Sequence, residues 1–238
     1  MTREFHPVLG LIPAKLGSTR LPEKNIRALA GKPLLAWTVE AARASGVIDR
    51  LVVSTEDERV ARVARDCGAE VPFLRPAELA RDPAGVVQVA LQALQALRAQ
   101  GADFRTLVIL LPTCPLRMAR DIQDALDLFK KKNGQFLMSV AQYPHTPFAA
   151  LDLGKDGLLK PFFPEYAGKR TQQLPAAWRA NGALHILDVA AFEKTHSYYS
   201  EPLLGYPMPP ERSVDIDNEA DFFEAERLLA LSVPSGRR

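Results

Sequence analysis

Two carboxylates, Asp215 and Asp217, stand two residues apart in the run Ser213-Val214-Asp215-Ile216-Asp217. On an extended segment such residues share a face, so both acids project together while Ile216 turns toward the core. Paired carboxylates repel unless a cation lies near them, and magnesium needs only one or two of them when substrate phosphates complete its shell. The competing reading is a helix start, with Asp217 or Asn218 as cap and Asp221 in the first turn. A second run, Ala14 to Asn25, sets Gly17, Ser18 and Thr19 among the cations Lys15, Arg20 and Lys24. Close backbone approach, hydroxyl donors and fixed positive charge are what a bound triphosphate requires. Neither GxxxxGK[ST] nor GxGxxG is present, and a surface loop with incidental charges would also explain these residues. A third run, Leu111-Pro112-Thr113-Cys114-Pro115-Leu116-Arg117, is stiffened by its prolines and suits either a substrate grip or a rigid connection. In the fourth, Arg179 to Ala183, the Asn181-Gly182 pair ahead of an apolar run reads as a turn. His6, His145, His185 and His196 are scattered, so their spacing supports no metal triad or catalytic dyad.

Elements that alternate in period must position these runs. Val8–Pro13, Leu51–Thr55, Val71–Leu74, Thr106–Leu111 and Phe136–Ala141 read as strands. Helical spacing marks Leu34 to Ala42, stopped by Gly46, and Val60 to Cys67, closed by Gly68. It also marks Val86–Ala99, Ile122–Phe129 and a last helix over Asn218–Leu231. The order β-α-β-α predicts an α/β fold, a doubly wound and mostly parallel sheet with helices on both faces. Ligands then lie beyond the carboxyl ends of the strands, where the runs after Pro13, Thr55 and Leu111 fall. From Tyr143 to Leu187 the pattern loosens, which predicts an excursion that serves dimerisation or covers the site, within one domain over 1–238.

The bulk properties exclude other classes. With 47% hydrophobic and 24% charged residues the chain of 238 is an ordinary folded protein. A formal charge of +2 without a cationic block argues against a nucleic-acid or membrane surface. Lys130-Lys131-Lys132 ends a predicted helix, where cations suit the dipole. The two cysteines, Cys67 and Cys114, form no CxxC or Cys/His motif and point weakly to a reducing compartment. The apolar run Val8 to Ala14 is too short for a signal peptide or membrane span, so the expected location is the cytoplasm, with Pro234–Arg238 frayed.

Taken in order, the motifs resemble those of the acylneuraminate cytidylyltransferases, the CMP-sialic acid synthetase family, over roughly residues 8–230. The residues that carry this are Ile12-Pro13-Ala14-Lys15, Ser18, Pro22, Lys24-Asn25, Gly31-Lys32-Pro33-Leu34 and Val53-Ser54-Thr55. Arg75-Pro76-Ala77-Glu78-Leu79-Ala80, Asp82, Pro112-Thr113, Pro115-Leu116-Arg117, Asn181-Gly182-Ala183 and Ser213-Val214-Asp215-Ile216-Asp217 complete them. The resemblance implies a Rossmann-like nucleotidyltransferase fold and an enzyme that couples CTP to the anomeric hydroxyl of an acidic 2-keto sugar, with release of pyrophosphate. It implies nucleotide contacts from Ala14, Lys15, Gly17, Ser18, Lys24, Asn25, Arg75 and Asp82. It implies substrate contacts from Thr113, Arg117, Arg170, Gln172, Gln173 and Asn181, and Mg2+ on Asp215 and Asp217. Lys24 and Asp215 would be catalytic, and a homodimer would form. Several positions depart from the family pattern: Lys15 for Arg, Leu111 for Gln, Cys114 for Ser, Thr171 for Arg, Ala149 for Lys and Val86 for Ser. Sugar-facing positions change more than triphosphate-facing ones, which points to a sialic-acid-like nonulosonic acid other than sialic acid. The rival readings are a Kdo-type enzyme, sharing Ser18-Thr19-Arg20-Leu21-Pro22, a GTP-using enzyme, and a non-catalytic sugar or nucleotide sensor.

Overall fold

Strand β1 (Val8–Pro13) is apolar on both sides, and its two faces feed two different cores. Val8 and Ile12 pack with Leu35 and Val39 of α1 (Leu34–Ser45), Val60 and Ala64 of α2 (Glu58–Asp66), and Ile122, Leu126 and Phe129 of α4 (Ala119–Lys131). Leu9 and Leu11 pack with Ala90, Ala93, Leu94 and Leu97 of α3 (Val86–Ala99) and Phe192 of α5 (Val189–Thr195). A strand buried on both faces must read as a continuous apolar run, which is why this sheet lies between two helical layers. These positions come from a computed structural model, which describes residues 4–18, 20–81 and 83–232.

Among the described residues the main sheet has six strands, in the order β10-β6-β9-β5-β1-β4. Here β4 is Arg50–Ser54, β5 Thr106–Leu110, β6 Phe136–Gln142, β9 Trp178–Asp188 and β10 Leu203–Pro207. Strand β1 pairs in parallel with β4 on one side and β5 on the other, so the winding reverses there and a crevice opens above its carboxyl end. Strand β9 is antiparallel to both β5 and β6. The short pairs β2 (Ala28–Leu29) with β3 (Lys32–Pro33) and β7 (Leu151–Leu153) with β8 (Leu159–Pro161) stand apart from this sheet. The Lys130-Lys131 pair closes α4, and α6 (Glu219–Ser232) buries Phe222, Ala225 and Leu229 against Leu21, Leu29 and Leu34. No helix among the described residues is long and apolar enough to cross a membrane.

Three expectations change. Val71–Leu74 forms no strand: the chain there makes a single bridge, Val52 with Glu70, and Pro72 has no N–H to extend it. The excursion ends at Ala177, not Leu187, because β9 crosses the middle of the main sheet. Asn181-Gly182 is therefore not a turn but a bulge. Partner register jumps from Met138–His185 to Val140–Ala180, and Gly182 takes φ +72° to absorb the extra residues. The tail Pro234–Arg238 lies outside the described residues.

Candidate nucleotide-transfer site

The loop after β1 is tied down by neighbours distant in sequence. Ala14 N donates to Ser54 O at 2.9 Å, and Leu16 N donates to Glu56 Oε1 at 2.8 Å. The buried Asn25 amide donates to Lys15 O at 2.7 Å, while its Oδ1 has no partner among the described residues. Leu21 N donates to Ser18 Oγ at 3.3 Å. A side-chain carbon at Gly17 would meet nothing within 4 Å, so that stretch of backbone faces open space. The loop is thus a fixed cradle with a bare lip.

Two adjoining cavities open on it and share Lys15, Lys24 and Asn25. The smaller, about 240 Å³, is walled by Arg75, Leu79, Val86, Leu111 and Thr113. The larger, about 650 Å³, is polar and adds Gly17, Ser18, Arg20, Arg81 and Asp217. One suits a flat, partly apolar ring; the other suits an extended anion. Arg75 is buried, and Nη2 donates to Glu56 Oε2 at 2.7 Å. Burial pushes this guanidinium below its usual pKa, and Glu56 opposes that shift. Glu56 therefore holds one element of each wall: Leu16 of the cradle and Arg75 of the smaller cavity.

The C-terminal acids enter by a separate set of contacts. Ile216 N donates to Thr113 O at 2.8 Å, and Lys24 Nζ donates to Ile216 O at 2.5 Å. The Asn181 amide donates to Ser213 Oγ at 2.9 Å, and its Oδ1 accepts from Ser139 Oγ at 2.6 Å. Asp217 Oδ1 lies 3.6 Å from Lys24 Nζ and 3.1 Å from Arg20 Nη2. Asp217 does not cap α6. Asn218 does, with Asn218 Oδ1 accepting from Asp221 N and Asp221 Oδ2 accepting from both Asp217 N and Asn218 N. The Asp217 carboxylate is thereby left to the cavity. Asp215 instead faces the bulge, with Oδ2 against Gly182. Among the described residues no group of three or more His, Cys, Asp or Glu could by itself hold a metal.

Of the residues singled out in the sequence, Lys15, Gly17, Ser18, Lys24, Asn25, Arg75, Thr113 and Asp217 line the two cavities. Others have framework contacts. Ala14 is in the core and its N–H is spent on β4. Arg117 is buried, donating to the carbonyl of Ala183 and to Thr38 Oγ1 at 2.8 Å, and burial pushes its pKa down to about 10. Asn181 joins β6, β9 and the Ser213 segment. Arg170, Gln172 and Gln173 are exposed on the excursion and line neither cavity. Asp82 lies outside the described residues. Glu56 and Arg81 were not singled out in the sequence, whereas Arg20 was noted there as one of the loop's cations. Glu56 gives no local signal, because its partners are 40 and 19 residues away.

The sequence model of the cytidylyltransferase family matches residues 9–149. The CMP-N,N'-diacetyllegionaminic acid synthase of Legionella pneumophila is 33% identical, over 94% of this chain and 97% of that protein. The N-acylneuraminate cytidylyltransferase of Escherichia coli is 31% identical, over 90% of this chain and 50% of that protein. A CMP:2-keto-3-deoxy-manno-octonic acid synthetase solved with CTP superposes with a TM-score of 0.71, covering 94% of this chain and 98% of that one, at 14% identity, which shows a shared fold. The chain belongs to the cytidylyltransferase family, among the acylneuraminate cytidylyltransferases and their nonulosonate relatives.

Proposed function

We propose that this protein is a cytidylyltransferase that joins CTP to the anomeric hydroxyl of a nine-carbon 2-keto sugar acid, giving a CMP-sugar and pyrophosphate. One observation carries the reading: Lys24, pinned by Ile216 O, sits where the two cavities meet, 3.6 Å from Asp217. A fixed cation beside a carboxylate at that junction suits the α-phosphate, where negative charge builds during transfer. In this reading the cytosine ring lies in the smaller cavity against Leu79 and Val86, near Arg75. The β- and γ-phosphates lie in the larger one among Lys15, Gly17, Ser18 and Arg20. The unpartnered Asn25 Oδ1 accepts a donor from the nucleotide. The sugar oxygen attacks the α-phosphorus, the bond to the bridging oxygen breaks, and pyrophosphate carries the electron pair away. Asp215 is a candidate to receive the hydroxyl proton.

The donor set fits magnesium. Asp217 presents a half-exposed carboxylate to the larger cavity, and one or two carboxylates are enough where phosphates and water supply the other ligands. Asp217 would hold the ion with Asp215 in support, and when bound the ion would offset charge on the transferring phosphoryl group. Lys24 and Lys15 supply the remaining positive charge from the protein.

Leu111 and Val86, at positions where the family carries polar residues, lie on the wall of the smaller cavity. The departures that bear on the sugar are Ala149 and Thr171, both on the excursion, and these support a nonulosonic acid other than sialic acid. The exposed excursion, with Leu151, Leu153, Leu159 and Phe162 at its surface, would be covered in a homodimer. The enzyme would work in the cytoplasm.

The test is pyrophosphate release with magnesium, for four nucleoside triphosphates against sialic, legionaminic, pseudaminic, Kdn and Kdo acids. Release is expected with CTP and one nine-carbon acid other than sialic acid. Sialic acid turning over best would overturn the sugar assignment, GTP dependence the base, and silence from folded protein the activity.

A further inference from the structure

Asp217 Oδ1 serves two cations at once, Arg20 Nη2 at 3.1 Å and Lys24 Nζ at 3.6 Å. The two cations are held differently. Lys24 is mostly buried, with 13% of its side chain exposed, and is fixed to Ile216 O. Arg20 stands on the loop lip with 66% of its side chain exposed, and Asp217 is its one ionic partner among the described residues. Both line the larger cavity beside Lys15, Ser18 and Arg81.

A carboxylate oxygen between two cations is a poor ligand for a third. An incoming divalent ion would have to displace Arg20 and then endure its repulsion at short range. A triphosphate changes that balance. It offers Arg20 a stronger anion within the same cavity, and a guanidinium binds phosphate oxygens through paired N–H bonds. An ion pair this exposed is weak, so it can be exchanged with little loss.

We propose that Arg20 is a resident counter-ion for Asp217 that transfers to the triphosphate when nucleotide binds, so that the divalent cation gains Asp217 only together with nucleotide. This rests on the reading of Asp217 as a metal ligand and of the larger cavity as the triphosphate seat. Before binding, Arg20 neutralises Asp217. Afterwards the metal does so, and Arg20 adds positive charge to the leaving pyrophosphate. Lys24 stays in place through both states.

The test uses Mn2+ alone, followed by the loss of its free electron-spin-resonance signal on titration with the full chain without nucleotide. Wild type, Arg20→Ala, Arg20→Lys and the double variant Arg20→Ala/Asp217→Asn are compared, with thermal melts to verify folding. Arg20→Ala is expected to bind Mn2+ about threefold to tenfold tighter than wild type, the range set by loss of an exposed pair and of nearby like charge. Arg20→Lys should fall between, and the double variant should lose the gain. In steady-state assays Arg20→Ala should raise KM for CTP, so one substitution tightens metal and loosens nucleotide. Unchanged Mn2+ affinity in Arg20→Ala, with binding that still depends on Asp217, overturns the exchange alone. Mn2+ binding indifferent to Asp217 in the Arg20→Ala background overturns the metal role of Asp217 and the exchange with it.

Discussion

Gly182 and Asp215 meet at the bulge in β9: a side-chain carbon on Gly182 would stand 2.9 Å from Asp215 Oδ2. The same glycine has φ +72°, where any other L-residue is strained. Gly182→Ala is therefore expected to lose about 1–3 kcal/mol of stability. Its kcat should fall as well, because Asp215 must move. Denaturant melts and turnover together check this; full activity with only lowered stability would separate Asp215 from the chemistry.

Asp217 and Asn218 divide two tasks that their adjacency obscures. Asn218 caps α6, so Asn218→Ala should cost about 1 kcal/mol and leave turnover close to wild type. Asp217→Ala should lower kcat by roughly 10²–10³-fold with little change in melting temperature. The comparison is a pair of melting curves beside a pair of rate measurements. Reversed phenotypes would make Asp217 the structural residue.

Glu56 couples the cradle to the smaller cavity through Leu16 N and Arg75. Glu56→Gln keeps the shape but removes the charge that Arg75 opposes in a buried place. We expect KM for the nucleotide to rise about tenfold with kcat nearly kept, and stability to drop by roughly 1–3 kcal/mol. A loss confined to kcat would show that Glu56 does not act by positioning.

His185 is buried beside Tyr198, its Nδ1 has no partner among the described residues, and burial lowers its pKa to about 4. The unfolded chain binds this proton below the ordinary histidine value of about 6.5, whereas the folded protein resists it until about pH 4. Its contribution to stability is thus complete above about pH 6.5 and lost as pH falls toward 4. His185→Phe should remove this slope, making the variant less sensitive than wild type between pH 7 and 5 by about 1–2 kcal/mol in urea melts. Equal slopes would assign the acid sensitivity elsewhere.

The alternation of strands and helices was legible because each depends on a local period, as in Val8–Pro13 or Val86–Ala99. The antiparallel strand was not. Asn181-Gly182 is locally a turn signal, and only the pairing of Asn181 with Ser139 and Ser213 makes it a bulge. Spacing predicts a common face for Asp215 and Asp217, yet Asp215 lies against Gly182 while Asp217 lines the larger cavity, and spacing could not tell a cap from a free carboxylate. Three hydrogen bonds decide that, donated by Asp217 N and Asn218 N to Asp221 Oδ2 and by Asp221 N to Asn218 Oδ1. Thr113 and Arg117 stand in one motif, yet Thr113 lines a cavity while Arg117 is consumed by Ala183 and Thr38. Which way a side chain points after a strand is a property of the neighbours, and those are distant in sequence.

The bond from Lys24 to Ile216 spans 192 positions, and Arg27 with Glu219 repeats that span. Contacts so far apart close late in folding, because the intervening chain must first be ordered. During synthesis the cradle can form long before its acidic partner has been made. A chain arrested shortly before Ser213 could build the sheet and the cations but would carry neither acid. Competence for transfer would arrive only once Asp217 has been made, after most of the core is in place.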